Sequence, residues 1–234
     1  MSVPTYTVGR TISLLIISLI ISVIAAIFVE LMAFFLHIIS LEEFKSNPLK
    51  FAVLAQGISY FPTFFFLLFF TKRFIGVSWK EIGLKNPKIK DIFIGLIGAL
   101  VWFIISNLLG FLTIKFIGTK VDNSEYLLGK NPTPYQYIIL TIVAVFGAPI
   151  IEEMAFRGII LNSIAHKYGY KIAIILSGIL FGLMHLSLVN LFPLISVGII
   201  LGYFYNKTKN LWTSIVAHMC FNGIGMLQLL LIHP

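Results

Sequence analysis

Three short runs place ionisable or amide side chains inside otherwise apolar sequence. The first is Glu152-Glu153-Met154-Ala155-Phe156-Arg157-Gly158. On a helix Glu153 and Arg157 are four apart and share a face, so they can pair. Glu152 is turned about 100° around the helix and can face something else. The second run is Phe181-Gly182-Leu183-Met184-His185, in which Phe181 and His185 share a face. Gly178 and Gly182 add a small-residue pair that permits close helix approach. The third is His218-Met219-Cys220-Phe221-Asn222, with His218 and Asn222 again four apart. Each run alone has a bland explanation: a helix-end ion cluster, a histidine bonded to a neighbouring backbone, or a polar clamp between helices. A charged group at the centre of a membrane helix costs about 2.5–3.5 kcal/mol. Six such polar groups on three apolar helices are therefore expected to converge on one another around a polar cavity.

Such a set has two chemical readings. A carboxylate and a histidine can hold and deprotonate a water, while a histidine and an amide donate to a developing oxyanion. Alternatively Glu152, His185 and His218 could bind a divalent metal, zinc above all, leaving a fourth position for water. Neither scheme needs a serine or cysteine nucleophile. Cys220 is the sole cysteine, so no intramolecular disulfide can form. It points to a different helix face from His218 and Asn222 and reads as packing.

The elements that carry these residues follow from composition. Of 234 residues, 59% are hydrophobic and 11% charged, against about 45–50% and 25% in soluble domains. Mean hydropathy is +0.99. These values exclude a disordered chain, a coiled coil and an ordinary soluble enzyme, and imply an all-α, polytopic helical bundle in a membrane. Residues 1–234 read as a single integral membrane domain. About seven spans are expected, with six to eight as the range: 12–39, 51–71, 91–117, 135–165, 171–189, 192–206 and 211–232. Glu30 lies inside the first span, so one of its faces should meet protein or water. That first apolar run is too long for a signal-peptide core and reads as a retained helix. Pro149 should kink the fourth span just before the two acids. No internal repeat is apparent.

The formal charge is +8. Nucleic-acid binding is not the reading of this excess; juxtamembrane anchoring to anionic lipid is. With the N-terminus inside, one side collects Arg10, six residues of the 72–90 connection, Lys167, Lys171, Lys207 and Lys209, eleven in all. The other side collects Lys45, Lys50, Lys115, Lys120 and Lys130, five in all, with Arg157 left over. The imbalance favours a cytoplasmic N-terminus, in what reads as a plasma-membrane protein.

The three motifs, Glu-Glu-x-x-x-Arg, Phe-x-x-x-His and His-x-x-x-Asn, in order and each in an apolar stretch, resemble the CPBP family. This is the CAAX-protease and bacteriocin-processing, or Abi, group of intramembrane proteases, which includes the prenyl-protein CAAX endopeptidase. The resemblance covers residues 135–225, and Glu152, Glu153, Arg157, Phe181, His185, His218 and Asn222 are all in place. It implies an endopeptidase, glutamate-dependent or metal-dependent, with its site open toward the cytoplasmic side. It implies that Glu152 and His185 activate water, that His218 and Asn222 form the oxyanion site, and that Glu153 with Arg157 is a structural ion pair. By resemblance the substrate is a peptide or lipidated protein at the membrane, and bacteriocin immunity is one setting. The alternative is a non-catalytic immunity or scaffolding protein binding a peptide or sensor. A proton-coupled carrier using Glu30, Glu152 and Glu153 lacks the paired broken helices such a fold needs.

Overall fold

The computed structural model describes residues 8–36, 76–117, 134–185 and 190–232, together with 42, 62, 66, 69, 73 and 187. Apart from residues 62, 66 and 69, the expected second span, 51–71, lies outside the described residues, as does the polar loop 118–133. Every regular element among the described residues is helical.

The helices are α1 (Val8–Phe35), α2 (Ile89–Ile117), α3 (Pro134–Thr141), α4 (Ala148–Glu153), α5 (Asn162–Met184), α6 (Leu191–Thr208) and α7 (Leu211–Ile232). Two π-helical stretches, π1 (Ile142–Gly147) and π2 (Met154–Leu161), join α3, α4 and α5 into one continuous run. The expected kink at Pro149 takes the form of π1: the backbone widens one turn before the proline instead of breaking.

Four helical stretches among the described residues are long and apolar enough to cross a membrane: Gly9–Phe35, Ile89–Thr113, Tyr137–Met184 and Leu211–Leu231. The third is interrupted at Gly169, whose φ of 79° and ψ of 162° are non-helical. The chain folds back there, because Ser177 Oγ donates to the Phe156 carbonyl at 3.2 Å and Phe181 packs on Phe156. The turn expected at 167–171 is this reversal.

Small residues set the closest crossings. A Cβ at Gly95 would lie 2.7 Å from the Thr213 carbonyl oxygen, which brings α2 against α7. A Cβ at Gly178 would lie 2.8 Å from Ile199 N, and one at Gly182 would lie 3.0 Å from Ile195 N, which brings α5 against α6. Outward residues such as Ile16, Phe28, Phe93, Ile104 and Leu227 are exposed, as a lipid-facing surface requires.

The segment 76–88 docks on the α6–α7 turn. Leu211 N–H donates to the Gly83 carbonyl at 2.8 Å, and Asn210 Nδ2 donates to Asp91 Oδ2 at 2.7 Å. Tyr205 donates to the Ile82 carbonyl. Gly83 has φ +95°, and its missing Cβ leaves room for the Tyr205 ring. Lys209 lies over the Tyr170 ring, so the Gly169 reversal is at the same end. Thr11 donates to Ser163, which brings the start of α1 there too. The described segments that carry Arg10, Lys80, Lys85, Lys88, Lys167, Lys171, Lys207 and Lys209 thus gather at one end of the bundle.

Candidate active site

The site is built where π2, α5 and α7 meet α4. Glu153 closes α4 and Arg157 lies one helical turn on, in π2. Arg157 Nη1 donates to Glu153 Oε1 at 2.8 Å, and both side chains are fully buried. Arg157 Nη2 donates to the Gly198 carbonyl at 3.1 Å. The guanidinium also stacks 4.7 Å from the centre of the Phe181 ring. The structure therefore forms the ion pair expected from the i,i+4 spacing and gives Phe181 a part in covering it.

A contact not legible in the sequence adds His218 to this pair. Its Nδ1 lies 2.9 Å from the same Glu153 oxygen that Arg157 holds. A carboxylate paired with a guanidinium only accepts, so Nδ1 carries the hydrogen and donates. In the neutral ring Nε2 then keeps its lone pair. It faces Glu152 Oε2 at 4.0 Å. That oxygen is buried and has no hydrogen-bond partner. The Trp102 ring meets His218 edge-on and stacks on Phe221, which walls this side of the site. Trp102 belongs to α2, outside the three motifs. A lone tryptophan in the third apolar span is its only sequence signal.

The other two polar residues stand apart. His185 closes the C-terminal end of α5 and is exposed. Its Nδ1 donates to the Phe181 carbonyl at 2.8 Å, and its ring packs 4.6 Å from Phe181. No hydrogen bond or ion pair joins it to Glu152. Asn222 Nδ2 donates to the Ala144 carbonyl in π1 at 2.8 Å. At about 1.5 Å rise per residue, His218 and Asn222 lie about 12 and 18 Å from the Asn210 turn, within the apolar stretch Leu211–Leu231.

The three candidate metal ligands, Glu152, His185 and His218, do not converge. Glu152 and His218 approach each other, but the His185 ring is turned onto its own helix. Among the described residues no three His, Cys, Asp or Glu side chains come together at ligand spacing. This arrangement does not complete the three-ligand set. Cys220 lines an apolar groove between α2, π1 and α7, as expected of a packing residue.

Residues 134–224 match the family model described as type II CAAX prenyl endopeptidase Rce1-like. Over 107 residues, 45% of its length, the chain is 31% identical to a Bacillus subtilis (strain 168) protein named "putative membrane peptidase YdiL". Over 131 residues, 53% of its length, it is 28% identical to protein YbdI of Lactococcus lactis subsp. lactis (strain IL1403). These matches span 42% of YdiL and 68% of YbdI. No solved structure matches the chain. The matched segment holds all three motifs, and with them the buried Arg157–Glu153–His218 chain; over this segment the protein is similar to the CAAX prenyl endopeptidase family of membrane proteases.

Proposed function

We propose that this chain is an intramembrane endopeptidase in which Glu152 and His218 hold the attacking water. The observation that carries the reading is the 4.0 Å gap between two acceptors, His218 Nε2 and the unpartnered Glu152 Oε2. One water spans such a gap by donating an O–H to each side. Its lone pairs then point away from both, toward a substrate carbonyl. Glu153 fixes the ring and tautomer of His218, and Arg157 fixes Glu153.

In the reaction the water oxygen bonds to the peptide carbonyl carbon, and the carbonyl π pair moves to its oxygen. The proton leaves to Glu152 Oε2. The Asn222 amide has a second hydrogen beside the one it gives to Ala144, and that hydrogen is the donor to the oxyanion. Collapse re-forms the carbonyl and breaks the C–N bond, and the departing amine takes the proton from Glu152. This differs from the role the resemblance implies for His185. On its exposed helix end His185 contacts substrate instead of water.

The substrate is a membrane-associated peptide or lipidated protein. An apolar groove of about 760 Å³ opens between α2, π1 and α7, lined by Leu100, Phe103, Val145, Ile224 and Leu227 among others. Val145 follows Ala144, the residue bonded to Asn222, so a hydrocarbon chain in the groove ends beside the site. The whole chain is one membrane domain of seven spans with its core at 135–225. Its N-terminus and basic end face the cytoplasm of the plasma membrane.

The test is cleavage of a quenched-fluorescent peptide library by the reconstituted protein. Glu152→Gln and His218→Ala are each expected to lower kcat by about 10²–10⁴-fold, the range of general base catalysis. His185→Ala is expected to raise KM more than it lowers kcat. Wild-type turnover by a folded Glu152→Gln protein would sink the proposal.

A further inference from the structure

Pro149 lies in the first turn of α4 and has no N–H to give. In π1 the backbone N–H groups reach back five residues, and the Ala148 N–H bonds the Val143 carbonyl. The next bond in that register would run from residue 149 to the Ala144 carbonyl. A proline cannot make it. That carbonyl instead accepts the Asn222 side-chain amide, lent across the bundle by α7 at 2.8 Å.

We propose that Asn222, besides the oxyanion contact of its second amide hydrogen, is a positioning residue, a clamp that replaces the N–H missing at Pro149 and so holds π1 in its widened register. The register matters because Glu152 and Glu153 follow Pro149 on the same run. A π turn carries one more residue than an α turn. Relaxation of π1 to α geometry would rotate everything after it by about 100°. Glu153 would then leave His218 and Arg157, and Glu152 would leave the gap it faces. The clamp goes beyond the catalytic reading and stands without it, since it needs no substrate.

A double-mutant cycle tests the clamp on the full-length protein in detergent. Pro149→Ala restores a backbone N–H at the position the amide serves. Asn222→Ala in the native background is expected to lower the melting temperature by ~3 °C or more. In the Pro149→Ala background the same substitution is expected to shift it by only ~1 °C. Equal shifts in both backgrounds would overturn the clamp. Hydrogen exchange gives a second reading that does not need Pro149→Ala to fold. In Asn222→Ala, amides 146–148 are expected to exchange at least ~10-fold faster while those of α6 stay unchanged. A uniform rise, or none, overturns it.

Catalysis tests the positioning half. The kcat loss from Asn222→Ala is expected to be at least ~3-fold smaller in the Pro149→Ala background, with KM unmoved. Thermal coupling with no coupling in kcat would overturn that half. A protein with no peptidase activity in any variant would count against the catalytic reading, and the thermal and exchange results would still decide the clamp.

Discussion

Glu153 accepts from two buried donors through one oxygen, while its other oxygen and Arg157 Nε have no hydrogen-bond partner. Removing one member of a buried pair leaves an uncompensated charge and costs about 3–5 kcal/mol. Arg157→Met is therefore expected to unfold the protein at markedly lower temperature. The double variant Arg157→Met/Glu153→Gln should recover part of the loss, because neither charge is then stranded. Glu153 and Arg157 could be paired from their spacing alone. That His218 joins them could not, because it lies 65 residues away in the chain. The resemblance implies His185 as the partner of Glu152, whereas in the fold His218 lies 4.0 Å from it. Since of Glu152, His185 and His218 only the first and last approach each other, a chelator should leave kcat within about twofold. Loss on chelation with recovery on added zinc would instead require His185 to swing in as a third ligand.

Two elements show how small residues hold the site together. The Gly198 carbonyl supports Arg157, and a Cβ at Gly198 would lie 2.6 Å from Gly178 Cα. Neither helix can yield without moving backbone. Gly178→Ala and Gly198→Ala should each destabilise by about 1–3 kcal/mol, as overpacking does. Gly225→Ala is the control, because its Cβ would meet nothing within 4 Å. It should be neutral or slightly stabilising in thermal melts, since alanine favours the helix. At the α6–α7 turn, burial and nearby Lys85 push the Lys209 ammonium down to about 8. Its folded form thus binds the proton more weakly than the unfolded chain, whose value is near 10.5. Charged Lys209 therefore weakens the fold below pH 8, and the penalty is relieved as pH rises from about 8 toward 10.5. The melting temperature of the wild type should rise between pH 7.5 and 9.5 relative to Lys209→Gln; a parallel pH course in both would refute this.

At the scale of the whole molecule, the segment 76–88, the Gly169 reversal, the α6–α7 turn and the start of α1 lie together. Lys85 and Lys171 both belong to this end and are exposed. In a Cys220→Ala background, Lys85→Cys and Lys171→Cys should react with an impermeant maleimide from the same side, the cytoplasmic one. Labelling from opposite sides would refute the shared end. The apolar groove makes a further whole-protein prediction. Leu100→Trp or Ile224→Trp should fill it, raising KM several-fold for a lipidated peptide while leaving an unmodified peptide unchanged.

The sequence by itself determined the all-helical class, the membrane setting and the positions of the described spans. Apolar runs of membrane-spanning length leave the backbone no alternative to helix in lipid. It also marked out the polar residues that must find partners, because a polar group on an apolar helix is costly unless it has one. What it left open was the choice of partner. Spacing of four along a helix settles contacts within an element, such as Glu153 with Arg157. The approach of His218 to Glu152, the seat of Trp102 and the clamp of Asn222 on Ala144 depend on how separate helices cross. Those crossings are set by backbone contacts at Gly95, Gly178 and Gly198. Such contacts exist only once the helices have packed, so tertiary structure alone could decide them.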